Sequence, residues 1–271
     1  MKELALRAIT GAVIVLAILG SILLNKHVFA ILFLVITIFG THEFYKMLTL
    51  TKYRAQINFG TTISGILYSI MSLIALGYLN PLYLSLVIVL FFVVPIRELY
   101  RDSKCPIPNI SLTIFGIIYV GLTFGMLNFL FYHGFEGKET YHLILAFFIV
   151  IWTSDTFAYL TGVSIGKHKL FKKISPKKSW EGFFGGLIAA MTVGYIFSIF
   201  YSDMNALAWV SYAFVISIAG VYGDLIQSMF KRSLKLKDSG KILPGHGGIL
   251  DRFDGVFVAV PVAIAFIMLI S

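Results

Sequence analysis

Between Ser228 and Asp254 the chain reads SMFKRSLKLKDSGKILPGHGGILDRFD, with cations, carboxylates and glycines interleaved over 27 residues. Lys231, Arg232, Lys237 and Arg252 carry positive charge suited to phosphate groups. Gly247 and Gly248 follow His246, and glycines permit positive φ and close approach, so their N–H groups could form an anion-binding concavity beside the imidazole ring. Asp251 and Asp254 lead into an apolar run and on a helix would share one face, while Asp224 stands upstream in VYGDLIQS. Hard carboxylate oxygens next to phosphate-binding cations are what Mg2+ uses, with water and substrate phosphate filling its remaining positions. Helix capping would account for Asp251 or Asp254 but not for Asp224.

A second charged stretch, GKHKLFKKISPKKSWEG, runs from Gly166 to Gly182. Lys177, Lys178, Ser179 and Glu181 have the composition of a phosphate clamp, with Trp180 as an interfacial anchor, and equally that of a loop binding anionic lipid. Upstream, Asp155 interrupts the apolar run IWTSDTFAYLTG, where an ionisable group is costly enough to suggest function. His27, His42, His133, His142 and His168 show no metal-ligand spacing, and Cys105, the single cysteine, has no partner for a disulfide. EGFFGG suits close helix packing.

The elements that must position these residues belong to a membrane. Of 271 residues 58% are hydrophobic and 13% charged, against about 25% charged in soluble domains, and the mean hydropathy is +0.89. Continuous apolar runs, without the alternation of a barrel, imply an all-α polytopic protein. Nine runs have cores near residues 8–24, 28–39, 59–79, 82–96, 110–132, 141–163, 183–201, 207–221 and 256–270. The second, fourth, eighth and ninth are short for a full crossing, so each is either re-entrant or extended into its polar flank. If all nine cross, one side holds twenty Lys and Arg against two on the other, which puts the N-terminus in the cytoplasm. The net charge of +9 then reflects topology and anionic lipid, and no nucleic-acid partner is expected. Residues 1–140 form about five spans. Residues 141–271 form about four and carry the cytoplasmic active-site loops 166–182 and 228–255.

The segment Ser228–Asp254 resembles the signature of phosphatidate cytidylyltransferases, the CDP-diacylglycerol synthases. Its fixed positions are matched by Ser228, Lys231, Arg232, Lys237, Asp238, His246, Gly247, Gly248, Asp251, Arg252 and Asp254. SPKKSWEG and SDTFAY are also similar to family sequences, so the likeness covers roughly residues 150–271. It implies transfer of CMP from CTP to phosphatidic acid, giving CDP-diacylglycerol and pyrophosphate, with Mg2+ required. On that footing Asp224 and Asp251 are expected as metal ligands, with Asp254 joining directly or through water, and a second ion such as K+ is plausible. Lys231, Arg232, Lys237 and Arg252 would bind phosphates, and His246, Gly247 and Gly248 would hold the α-phosphate or leaving pyrophosphate. Ser228 and Asp238 belong to the same site. Asp155, Lys177, Lys178, Ser179 and Glu181 would be further contributors.

A homodimer is compatible with the small residues along several spans, and the compact length favours a bacterial plasma membrane. Two rival readings are weaker. A CDP-alcohol phosphotransferase should carry DG-x2-AR, which is absent, and an ion-coupled transporter should show inverted repeats.

Overall fold

The computed structural model describes residues 2–133, 138–240, 242 and 247–270, and the side chains of all these except residues 2–8, 133 and 138. Lipid offers a backbone no hydrogen-bond partners, and the apolar runs accordingly close their own bonds as helices. The helices are α1 (Lys2–Leu24), α2 (Lys26–Leu48), α3 (Ile57–Ala75), α4 (Ser85–Leu99, preceded by a 3-10 turn Pro81–Leu84), α5 (Pro106–Gly116), α6 (Thr123–Leu127), α7 (His142–Ile165), α8 (Trp180–Phe200), α9 (Ala206–Ser233) and α10 (Val256–Ile270). A π-helical turn, Ile117–Leu122, joins α5 to α6, so Pro106–Phe131 is one apolar element.

Among the described residues, seven helices are long and apolar enough to cross a membrane, and the shorter apolar helices Ile9–Leu24 and Val256–Ile270 accompany them. The chain is an all-α polytopic membrane protein. Three of the four runs with short cores extend into their polar flanks, to 23, 19 and 28 residues. Polar side chains mask these extensions in hydropathy, yet they continue the helical hydrogen-bond ladder. The strands are minor: β1 (Tyr132–His133) pairs with β2 (Lys138–Glu139), and β3 (Lys169–Phe171) pairs antiparallel with β4 (Ser175–Ser179).

The chain divides into two compact units. The first comprises residues 1–129 together with 234–252, so the glycine-rich loop belongs with the N-terminal helices. Asn25 separates α1 from α2, its side chain capping α2 by accepting from the His27 N–H at 2.9 Å. Ile63, Leu67, Met71, Val94 and Ile117 form a buried cluster in this unit. Tyr45 is wholly buried and donates its hydroxyl to Thr113 O at 2.5 Å. Its ring fills the space a side chain would occupy at Gly60 and Gly116.

The second unit comprises residues 130–233 and 253–271. Its core holds Trp209, Tyr212, Phe147 and Phe148. Each polar tip finds a partner, as burial requires: Trp209 Nε1 donates to Tyr201 O at 3.2 Å and Tyr212 Oη to Leu143 O at 3.2 Å. Without a hydrophobic drive between helices in lipid, close contact depends on small residues. EGFFGG provides them. A Cβ on Gly186 would lie 2.5 Å from Ser154 O, and one on Gly182 would lie 2.6 Å from Ala158 O. Helices α7 and α8 therefore approach backbone to backbone, and Ser154 Oγ bonds Ser217 Oγ of α9 at 2.7 Å.

This packing makes a contrast measurable in detergent by thermal unfolding. Gly186→Ala should destabilise the protein by about 1–3 kcal/mol, since the helices must separate to admit the methyl group. Gly20→Ala, where a Cβ meets nothing within 4 Å, should change stability by no more than about 0.5 kcal/mol.

Candidate active site

In the second unit the functional side chains come from three helices and one hairpin. The chain leaves α7 at Gly166, forms the β3–β4 hairpin, and enters α8 at Ser179. The hairpin is fastened at its base: His168 Nδ1 bonds Glu181 Oε1 at 2.6 Å, and the Trp180 N–H donates to His168 O at 2.9 Å. Ser179 is buried and caps α8 by accepting from the Gly182 N–H at 3.1 Å. The SPKKS segment is thus a strand that ends in a helix cap, which fixes where its two lysines stand. Lys178 pairs with Asp224 of α9, Nζ to Oδ2, at 2.5 Å. Asp224 Oδ1 accepts from Ser228 Oγ, one helical turn on, at 3.2 Å.

Asp254 joins this cluster because of a glycine. A Cβ on Gly223 would lie 2.6 Å from Asp254 O and 2.9 Å from Gly255 O. The chain entering α10 therefore rests directly on α9, one residue before Asp224. Lys231, 8% exposed and a turn beyond Ser228, acts electrostatically on both Asp224 and Asp254. Burial holds the Asp254 carboxyl well above the usual carboxylate range, and the Asp224 and Asp155 carboxylates push it the same way, with Lys231 opposing. Asp155, Asp224 and Asp254 bring three carboxylates against two ammonium groups, Lys178 and Lys231. The cluster is rich in carboxylate oxygen. Its hard oxygens suit Mg2+, although no described group of three or more His, Cys, Asp or Glu forms a ready-made cage.

The cluster opens on a cavity of about 570 Å³. Asp155, Lys169, Lys177, Lys178 and Asp224 give its lining charge, whereas Tyr159, Val163, Leu170, Phe183 and Val221 give it apolar surface. Such a lining can take an amphiphile with an anionic head. The structure thus brings together Asp155, Lys177, Lys178, Asp224 and, through α9 and the start of α10, Ser228, Lys231 and Asp254. Glu181, expected at the substrate, instead holds the hairpin base through His168. Arg232 is exposed in the last turn of α9.

The first unit holds the rest of the motif. Lys237, Asp238 and Arg252 are exposed, and His246 lies outside the described residues. Gly247 has φ of +84°, which only glycine adopts without strain. The Gly248 N–H, expected to face an anion, is donated to Asp251 Oδ2 at 3.0 Å, and the Ser239 N–H is donated to the same oxygen at 2.8 Å. Two donors occupy both lone pairs of that oxygen. Asp251 thus ties its own loop through Oδ2.

Sequence reasoning missed Lys169, which lines the cavity, and Glu43. Glu43 lies on α2 and is 2% exposed, and its carboxylate accepts from Ser239 Oγ at 2.7 Å and from the N–H groups of Ile249 and Leu250 at 3.0 Å each. Gly240 and Gly248 both pack against it so closely that a Cβ on either would collide with the carboxylate. The signal was an acid in THEFYKM, in the polar flank beyond the second apolar run.

Residues 5–270 match the model of the cytidylyltransferase family. The phosphatidate cytidylyltransferase of Staphylococcus saprophyticus is 38% identical over 200 residues, covering 73% of this chain and 74% of the relative. Its namesake in Staphylococcus haemolyticus is 37% identical over 186 residues, 68% of this chain and 69% of the relative. In Staphylococcus aureus strain COL the corresponding protein is 36% identical over 186 residues, with the same coverage.

Removing one or the other partner of the Lys178–Asp224 pair should have unequal effects on stability. Lys178→Met leaves three carboxylates facing one lysine and should cost about 1–3 kcal/mol in detergent unfolding experiments. Asp224→Asn leaves two acids with two lysines and should cost under about 1 kcal/mol. Equal losses would contradict the arrangement.

Proposed function

The chain belongs to the cytidylyltransferase family, and from that premise we propose that it is a phosphatidate cytidylyltransferase, transferring CMP from CTP to phosphatidic acid. The observation that carries this reading is the cluster of Lys178, Asp224 and Asp155 opening on a cavity lined in part by lysines and in part by apolar side chains. A phosphorylated lipid needs both kinds of surface. A soluble nucleotide needs access from water, and the basic loops supply it at the ends of apolar helices. We place these loops and the N-terminus on the cytoplasmic face of a bacterial plasma membrane, as the twenty-to-two distribution of Lys and Arg implies.

In the reaction a phosphate oxygen of phosphatidic acid attacks the α-phosphorus of CTP, and the bond from that phosphorus to the bridging oxygen of the β-phosphate breaks. Pyrophosphate leaves with the electron pair. The nucleophile has a second pKa near 6 and is mostly dianionic at neutral pH, so no strong general base is needed. The obstacle is repulsion between two polyanions, and catalysis reduces largely to alignment and neutralisation.

Lys169, Lys177 and Lys178 bind the lipid phosphate in the cavity, with Tyr159, Val163, Leu170 and Phe183 against the glycerol and upper acyl chains. Lys237 and Arg252 bind the nucleotide phosphates, which carry the larger charge. Lys231 holds Asp224 and Asp254 in place. Asp224 and Asp254 would hold Mg2+, which supplies charge neutralisation on the phosphoryl oxygens when bound. Asp251 acts through the order it imposes on its loop. CTP, phosphatidic acid and membrane lipid are the partners in this reading, and a homodimer is its expected assembly.

The test is formation of CDP-diacylglycerol from labelled CTP and phosphatidic acid by the purified full chain. Product should require both substrates and Mg2+ and disappear with EDTA. Asp224→Asn should lower turnover by about 100-fold or more at unchanged yield and monodispersity. No product from lipid-supplied, monodisperse wild-type protein would overturn the assignment.

A further inference from the structure

Glu43 belongs to none of the charged segments discussed above for the reaction, yet it is only 2% exposed. A buried carboxylate is tolerated only where donors replace its hydration. Among the described residues those donors come from one short stretch of chain about two hundred residues away: Ser239 Oγ and the N–H groups of Ile249 and Leu250. Leu250–Arg252 forms a 3-10 turn, so Glu43 caps the turn whose next two residues are Asp251 and Arg252. Asp251 in turn binds the Ser239 and Gly248 N–H groups. Two carboxylates therefore grip the loop, one from α2 and one from within, and Ser239 is bonded to both.

We infer that Glu43 is a positioning residue for cytidylyl transfer, fixing the loop that carries Lys237, Asp238 and Arg252. The inference rests on the proposed function for its kinetic consequence, but the structural part stands without it. A loop dense in cations and glycines has many conformations of similar energy. A neutral acceptor would hold it weakly, whereas hydrogen bonds to a charged group are roughly twice as strong. The two glycines that flank the carboxylate follow from the same constraint. At Gly240 and Gly248 any side chain would enter the space of Glu43, so the glycine-rich sequence there serves the fit of an acid as much as freedom of the backbone.

The experiment uses the full chain in detergent with Glu43→Gln, which keeps the shape and removes the charge, and with Ser239→Ala, which removes one of the three donors and leaves the buried acid in place. Hydrogen exchange is measured without substrates, and kinetics with both. Exchange at Ile249 and Leu250 should accelerate about tenfold or more in Glu43→Gln, with α3 unchanged. The KM for CTP should rise about tenfold while the KM for phosphatidic acid stays within about twofold, with Ser239→Ala intermediate. A merely structural role would lower active enzyme and leave both KM values alone; that result overturns the inference, as does unchanged exchange at the two amides. If Glu43→Gln fails to fold, Ser239→Ala decides by the same two readouts. Wild-type protein without transfer activity would fault the proposed function, and the exchange data would still judge Glu43.

Discussion

A carboxylate taken out of water loses several kcal/mol of solvation unless donors replace it, and each unit of this protein is arranged around meeting that requirement. In the first unit Glu43 is surrounded by donors of the 239–250 loop. In the second, Asp224 is met by Lys178 and Ser228. The two solutions differ in a way that matters for chemistry. Glu43 has neutral donors in fixed positions and is a finished structural contact. Asp224 stands with Asp155 and Asp254 beside Lys178 and Lys231, an arrangement rich in carboxylate oxygen that we propose receives a cation.

Close backbone packing makes the second arrangement possible. Gly182 and Gly186 let α7 and α8 meet, Gly223 lets the entry to α10 rest on α9, and the hairpin base tied by His168 and Glu181 aims Lys178 at Asp224. The three glycines and the His168–Glu181 tie lie away from the reacting atoms in the proposed mechanism, yet each helps to set a distance within the charged cluster. In a membrane this economy is expected, because small residues and polar contacts, more than apolar burial, decide which helix faces meet.

The sequence made the spans legible because lipid imposes continuous apolar runs. It also exposed Asp155, Asp224 and Asp254, since charges in or beside such runs stand out. What stayed hidden depends on pairing across long separations. The Lys178–Asp224 ion pair joins a hairpin to a helix, and SPKKS read equally well as a phosphate clamp or a lipid-binding loop. Glu43 looked like part of a charged flank because its donors lie about two hundred residues on. The Gly247–Gly248 pair suggested an anion cradle by composition, but an aspartate of the same loop reaches the Gly248 N–H. For the short runs that became α2, α4 and α9, hydropathy left extension and re-entry both open, because it ends where polar residues begin and the helix does not; the helices extend.

We propose that the cluster of Asp155, Asp224 and Asp254 takes a divalent cation. Electron paramagnetic resonance of Mn2+ titrated into the detergent-solubilised full chain, with and without CTP, measures this directly. The account predicts bound Mn2+ in the wild type and its loss in Asp224→Asn, with Glu43→Gln retaining the ion. Undiminished Mn2+ binding by a folded Asp224→Asn variant would contradict it.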